Sequence, residues 1–248
     1  MILFNPKCQA FSSELSTIPQ RFSQEGEIIY DSRNQIRIIK LSNGTEVCVK
    51  RFHAPRALNC LIYSLGIRKP KGERAFEYPS RLLIEGIETP ITMAYIEHRN
   101  MGLLRESYLI SEKCPYSHCL YELGDAPRGT YENLALALAQ MTARMHEAGI
   151  LHQDFSPGNI LWEKLADGYH FSLVDINRMY FGKVGMKQGC SNFVRLWGPK
   201  RFLSIIVREY ARLRNFDADE CERILMERRA RFWEHYKIKR KIKFTLEL

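Results

Sequence analysis

The feature that most narrows what this chain can fold into is a helix–loop–hairpin run between residues 130 and 175. Leu134, Leu138, Met141 and Met145 recur at i, i+4, i+7 and i+11, a stripe that predicts a helix with one buried face. Thr130 reads as its N-cap and Gly149 as its stop. His152-Gln153-Asp154-Phe155-Ser156-Pro157-Gly158-Asn159 follows, too rich in turn formers to continue a helix. Two strand-like segments come next, Ile160 to Trp162 and Phe171 to Val174, with Asp167-Gly168 as the turn between them. Asp175 ends the second.

The chain before Gly124 has a different period. Glu27 to Tyr30, Ile36 to Leu41 and Glu46 to Arg51 are short β-branched runs, and Ser42-Asn43-Gly44 suits a tight hairpin turn. Glu73 to Glu85 is helix-like and stops at Gly86. Ile91 to Ile96 and Tyr108 to Ser111 read as two more strands, and the chain from about Phe193 reads as helical and increasingly basic. No repeat or low-complexity linker interrupts the 248 residues. The expectation is a single α+β domain of two lobes. A small β-rich N-lobe with one helix covers about 1–112, and a mostly helical C-lobe covers about 113–248.

Taken singly, Asp154, Asn159 and Asp175 have bland readings as turn and cap residues. Taken together, an H-x-D-x-x-x-x-N run behind an amphipathic helix, then a strand ending in Leu173-Val174-Asp175, resembles the catalytic loop and metal-binding aspartate of the protein-kinase superfamily. The resemblance implies a two-lobed protein-kinase-like fold and transfer of the γ-phosphate of ATP to a hydroxyl. Such transfer needs alignment and charge neutralisation more than covalent help. Asp154 would then be the base that positions the acceptor, and Asn159 and Asp175 would hold Mg²⁺ through the oxygen donors a hard cation prefers. His152 reads as a support of the loop. Ser156 lacks the G-x-S-x-G surroundings of a nucleophile.

Val47-Cys48-Val49-Lys50 resembles the V-A-I-K strand, whose lysine contacts the α- and β-phosphates. Glu77 is the expected partner of Lys50, with Glu73, one helical turn earlier, as the alternative. Glu112 to Cys114 would be the hinge that binds adenine. Two departures stand out. Asp31-Ser32-Arg33-Asn34 occupies the turn where a G-x-G-x-x-G loop is expected, leaving backbone amides or Arg33 to cover the phosphates. Asp175-Ile176-Asn177 replaces D-F-G, and no A-P-E follows. Both point to a small atypical kinase without a regulated activation loop.

Among such kinases the chain most resembles the lipopolysaccharide core (Kdo and heptose) kinases of Gram-negative bacteria. The likeness spans about residues 27–178 and rests on the V-C-V-K strand, the segment Leu82-Leu83-Ile84-Glu85-Gly86-Ile87-Glu88-Thr89-Pro90, and the H-Q-D-F-S-P-G-N loop. It implies a lipid-linked inner-core sugar as acceptor, at the cytoplasmic face of the inner membrane. RIO-type atypical kinases come next, because Asp154, Ser156 and Asn159 also fit D-x-S-x-x-N. A catalytically dead, partner-binding pseudokinase is the third reading, but Lys50, Asp154, Asn159 and Asp175 are all retained.

The net charge of +9 favours an anionic partner without choosing among membrane, phosphorylated substrate and nucleic acid. At the C-terminus, Arg228, Arg229, Arg231, Lys237, Lys239, Arg240, Lys241 and Lys243 alternate with Phe232, Trp233, Tyr236, Ile238 and Ile242. This pattern suits docking on an anionic bilayer and equally a helix packed on the C-lobe; nucleic acid is the less favoured partner. Seven cysteines without a C-x-x-C pair, and a start without a basic n-region and apolar run, predict a reduced cytoplasmic protein. Cys114, His118 and Cys119 lack a second pair at zinc-finger spacing, so thiols are the expectation there.

Overall fold

Alternation of side chains along one strand organises the first half of the computed structural model, which describes residues 1–32, 34–55 and 57–248. Arg33, offered above as a phosphate cover, lies outside the described residues. The chain divides into two units: Met1–Arg81 with Thr89–Pro115, and Leu82–Glu88 with Tyr116–Leu248.

In the first unit the elements are β1 (Ile2–Phe4), α1 (Ser12–Arg21), β2 (Glu27–Asp31), β3 (Asn34–Lys40), β4 (Glu46–Phe52), α2 (Ala57–Ser64), α3 (Lys71–Ile84, whose last turn falls in the second unit), β5 (Thr92–Asn100) and β6 (Leu103–Glu112). The strands form one antiparallel sheet in the order β1-β5-β6-β4-β3-β2. Val47 and Val49 of β4 are buried in a core with Leu15, Ile18, Phe22, Ile110 and Met93. The period of two therefore turns Cys48 and Lys50 to the opposite face of the sheet. The Ser42–Gly44 turn forms as expected. The Leu41 N–H donates to Thr45 O at 2.8 Å, the Thr45 N–H donates to Asn43 Oδ1 at 3.0 Å, and Gly44 takes φ +90°. Helix α3 starts two residues before the expected Glu73 and is released at Gly86, φ +67°. Helix α1 is an addition to the expected elements: it covers the core face with Leu15 and Ile18, both fully buried. At the other extreme, all five residues of the edge strand β2 are exposed.

The second unit contains β7 (His118–Cys119), α4 (Glu132–Glu147), β8 (Ile150–His152), β9 (Ile160–Leu165), β10 (Gly168–Leu173), β11 (Met179–Phe181), α5 (Met186–Asn192), α6 (Lys200–Leu213) and α7 (Ala218–Lys239). All four apolar residues of the stripe on α4 are buried, together with Ala135, Ala139, Ala143 and His146 between them. At roughly 1.5–3 kcal/mol for each large aliphatic side chain, that face alone accounts for much of the adhesion of α4. Opposite it, α6 buries Phe202, Leu203, Ile206, Val207 and Tyr210. Thr130 does not cap α4. Its hydroxyl donates to Pro127 O at 2.7 Å, and the Glu132 carboxylate instead accepts from the N–H groups of Gly129 and Tyr131. Gly149, φ +71°, does end the helix.

The C-terminal helices begin earlier than expected, at Met186. Arg229, one of the cations assigned to the basic terminal surface, is fully buried. Among the described residues no helix is long and apolar enough to cross a membrane.

Candidate active site

The loop that follows β8 is held by His152 of that strand, by Asn192 of α5 and by Phe193 just after α5. His152, the last residue of β8, is completely buried. Its Nδ1 lies 3.1 Å from the Asp154 N–H and its Nε2 lies 3.0 Å from Val174 O. Since a peptide N–H can only donate, Nδ1 is the acceptor and Nε2 carries the proton. Both nitrogens are thus committed with the ring neutral, and burial pushes its pKa below the ordinary value.

The support continues away from the loop. Asn192 at the end of α5 donates its amide to His152 O at 2.9 Å, so its Oδ1 accepts from His146 Nε2 at 3.1 Å. His146 Nδ1 then accepts from the Tyr210 hydroxyl at 2.9 Å, whose oxygen accepts from Arg214 at 3.0 Å. Arg214 in turn pairs with Glu147 at 2.6 Å. Burial lowers the pKa of His146 from 6.5 to about 3. Gly189 of α5 has to be glycine, because a Cβ there would lie 2.0 Å from the Tyr210 hydroxyl.

Hydrophobic anchoring complements this polar chain. Phe155 is buried, with its ring edge-on to Phe193 at a centroid distance of 6.2 Å. Asp154, between the buried His152 and Phe155, keeps a side chain 27% exposed. The carboxylate that is expected to do the chemistry is accessible at the head of an immobilised loop.

Asn159 and Asp175 are brought to one end of the β9–β10 hairpin. Ile160 pairs with Leu173, and the Val174 N–H donates to Asn159 O at 3.0 Å. The Asn159 amide donates to Asp154 O at 2.9 Å, which leaves Oδ1 as its electron-rich end for a cation. Asp175 adopts the left-handed conformation, φ 54° and ψ 41°, and its Oδ1 accepts from the Asn177 amide. An aspartate tolerates this region better than most residues, yet it still carries a cost of order 1 kcal/mol, and such strain concentrates at functional sites. The buried Asn177 Oδ1 has no hydrogen-bond partner. Among the described residues no cluster of three or more His, Cys, Asp or Glu could hold a metal. The oxygen donors offered are one carboxylate and one amide, a set suited to a hard cation bound mainly through phosphates.

Two arginines that the sequence reading passed over contact Asp154. Arg195 Nη1 lies 2.5 Å from Oδ1, and Arg178 Nη1 lies 3.9 Å from Oδ2. Arg178 arrives because β11 pairs with β8 and the Gln153 N–H donates to Arg178 O at 2.9 Å. Its position three residues after Asp175 was a usable signal. Nothing in the local sequence marks Arg195, Asn192 or His146.

The remaining expected site residues lie in the first unit. Lys50 is central in its sheet, with Ile36 and Leu109 as neighbours across the strands, and its Nζ is 5.2 Å from the centre of the Phe52 ring. Glu77 of α3 is hydrogen-bonded by Lys69, which also approaches Glu73 at 3.5 Å. Glu73 is the less exposed of the two, 18% against 39%, and burial raises its carboxyl pKa. At the end of β6 the Glu112 N–H donates to Ile91 O at 2.9 Å and the Lys113 N–H to Glu46 O at 3.2 Å. Cys114 follows, half-buried. In the second unit His118 stacks on Trp162 at 4.5 Å and bonds Glu122 at 2.9 Å, so its ring is engaged in packing. A surface hollow of about 510 Å³ in that unit, lined in part by Tyr121, Trp197 and Lys243, contains none of the expected site residues.

A β-sheet unit with a lysine at the centre of its sheet, and a helical unit with an H-x-D loop and a hairpin ending in aspartate, define a kinase-like fold. Two solved structures bear this out: WaaP in complex with acyl carrier protein (TM-score 0.61, 16% identity, covering 97% of this chain and 100% of that one), and the Rio2 kinase–ADP/Mg²⁺–phosphoaspartate complex from Chaetomium thermophilum (TM-score 0.50, 15% identity, covering 96% of this chain and 73% of that one). No curated protein sequence matches the chain. The model of the lipopolysaccharide kinase (Kdo/WaaP) family matches residues 43–203, more than half of its length. The chain belongs to that family, and it is a kinase.

Proposed function

We propose that this kinase transfers the γ-phosphate of ATP to a hydroxyl of a lipid-linked inner-core sugar, with Asp154 positioning that hydroxyl and accepting its proton. The observation that carries the reading is the loop itself: an accessible carboxylate held between two buried residues, beside an amide and a second carboxylate at one end of a hairpin. Phosphoryl transfer demands fixed geometry at the acceptor, and buried hydrogen bonds to His152 and Asn192 supply it.

Asn159 and Asp175 would hold Mg²⁺, which neutralises phosphate charge when bound. Lys50 would take the α- and β-phosphates. The expected carboxylate partner of Lys50 was Glu77; Lys69 approaches both carboxylates, and the lower exposure of Glu73, 18% against 39%, favours this alternative. Adenine would be read at the hinge, Glu112 to Cys114. The N–H groups of Glu112 and Lys113 are committed within the sheet, so Cys114 carries most of that role. With a lipid-linked acceptor, the enzyme would act at the cytoplasmic face of the inner membrane.

The test is transfer of labelled phosphate from ATP to purified lipid-linked core sugar, with a generic protein acceptor in parallel. Label on the sugar is expected; label confined to the protein would turn the reading toward a RIO-like protein kinase. Asp154→Ala should lower turnover roughly a hundred- to ten-thousand-fold with ATP binding retained. Undiminished transfer would remove Asp154 from its role. Asp175→Ala should abolish the Mg²⁺ dependence of nucleotide binding, measured by calorimetry.

A further inference from the structure

Arg195 is presented too deliberately to be an incidental surface cation. It closes a short 3₁₀ turn, Phe193–Arg195, whose first residue is fully buried. The peptide groups on both sides of it are clamped from beneath by α7. The completely buried Arg229 donates to Val194 O at 3.4 Å, Leu196 O at 2.5 Å and Gly198 O at 3.4 Å, and Trp233 Nε1 donates to Val194 O at 3.0 Å. Among the described residues no carboxylate hydrogen-bonds Arg229, and burial, opposed by the charge of Glu247, lowers its pKa to about 10. A buried, charged guanidinium is costly. Here it serves to hold the segment from which Arg195 projects.

Above that clamp, the Arg195 guanidinium stacks over Phe232 at 5.4 Å and reaches Asp154 Oδ1, while Arg178 approaches Oδ2. Both arginines are nearly half-exposed, 40% and 45%. The carboxylate expected to hold an acceptor hydroxyl therefore already has a cation on one oxygen and a second cation near the other. An uncharged hydroxyl can use the lone pairs the guanidinium groups leave, but it does not draw those cations off the carboxylate. An acceptor carrying its own anion does, since guanidinium pairs with carboxylate and phosphate in the same fork geometry.

We propose that Arg195, assisted by Arg178, is an anion-reading latch on Asp154: a carboxylate or phosphate on the acceptor takes the guanidinium, and the released Asp154 carboxylate then holds the neighbouring hydroxyl. The inference rests on the assignment of Asp154 made above and adds what that assignment lacks, a rule for choosing the acceptor. It makes the enzyme selective for hydroxyls close to a negative charge and slow toward water, which cannot open the latch. Phe232 keeps the guanidinium plane at hand after release.

The test compares Kdo and a hexose phosphate, each with its uncharged counterpart (the carboxyl-reduced alcohol and the free hexose), as acceptors of labelled phosphate. Wild-type protein should favour the charged member by about tenfold or more in kcat/KM, the worth of one charge-assisted hydrogen bond. A preference for Kdo alone assigns the fork to a carboxylate, and one for the hexose phosphate alone assigns it to a phosphate. Arg195→Gln should reduce either preference to about threefold or less and raise acceptor-free ATP hydrolysis, a gain that loss of packing does not produce. Retention of the full preference in Arg195→Gln overturns the proposal. Should that variant unfold on a thermal melt, Arg178→Gln is read the same way. Binding of the four sugars to nucleotide-free protein, followed by NMR, decides the matter separately. If no acceptor is phosphorylated but the charged sugars bind and lose affinity in Arg195→Gln, the latch stands and the proposed reaction falls. Equal binding of charged and uncharged sugars sinks the latch whatever the kinetics.

Discussion

The loop after β8 and the edge strand β2 are built by opposite means. Around the loop, His152, Phe155, His146, Asn192 and Tyr210 are all buried, and a hydrogen-bonded series from α6 through α4 and α5 ends on His152 O. By contrast, β2 lies at the sheet edge with Ile28, Ile29 and Tyr30 each about half exposed, held on one side by β3. The lesson is that the loop proposed to position the acceptor is held in place by its own unit. The strand where a Gly-rich loop is expected has no packing of its own to fix it, and such edges belong to the low-stability end of a fold.

Four substitutions or conditions probe that contrast, the largest effect first. Asn192→Ala strips partners from His152 O and His146 Nε2 together. Two buried polar groups left unsatisfied should cost about 2–4 kcal/mol in chemical denaturation; a loss below about 0.5 kcal/mol would mean the loop is not held this way. Gly189→Ala forces a methyl into the Tyr210 hydroxyl and should cost about 1–3 kcal/mol.

Acid should weaken the loop's unit in a calculable way. Both His146 and His152 have folded pKa values below the ordinary 6.5. Below that pH the unfolded chain takes up protons the folded chain refuses, so stability rises with pH there and is lost as pH falls below about 6.5, for His146 down to about 3. Each histidine contributes up to about 1.4 kcal/mol per pH unit. Denaturation midpoints across that range should show the slope, and His146→Asn should remove one share of it. At the small end, Ile29→Lys in β2 should change stability by no more than about 0.5 kcal/mol. A loss well above that would show that the edge strand is packed after all.

Legibility from sequence divides along the same line. The H-x-D-x-x-x-x-N loop, the stripe on α4, the β4 lysine strand and the Ser42–Gly44 turn were readable because each depends on local spacing. Helix α1 was not, since Ser12–Arg21 carries only Leu15 and Ile18 as core residues and a proline at position 19. Its helicity is decided by the sheet it covers. Thr130 misled because its hydroxyl found Pro127 O while Glu132 took the free amides. Arg229 was counted with its exposed neighbours, because only tertiary packing distinguishes it from Arg228 and Arg231. For the candidate site, spacing pointed to Asp154, Asn159 and Asp175, whereas Arg195 and Asn192 come from segments about forty residues downstream and are brought in by helix packing alone.

The sequence of donors from Arg214 through Tyr210, His146 and Asn192 to the His152 carbonyl has one polarity throughout. Turning the Asn192 amide over would face donor to donor at one junction and oxygen to oxygen at the next, so no single member can reverse alone. Such wiring behaves like a ratchet pawl. It favours one setting of the backbone leading into Asp154, and any motion there must either break the Asn192 bond to His152 O or carry Asn192 with it.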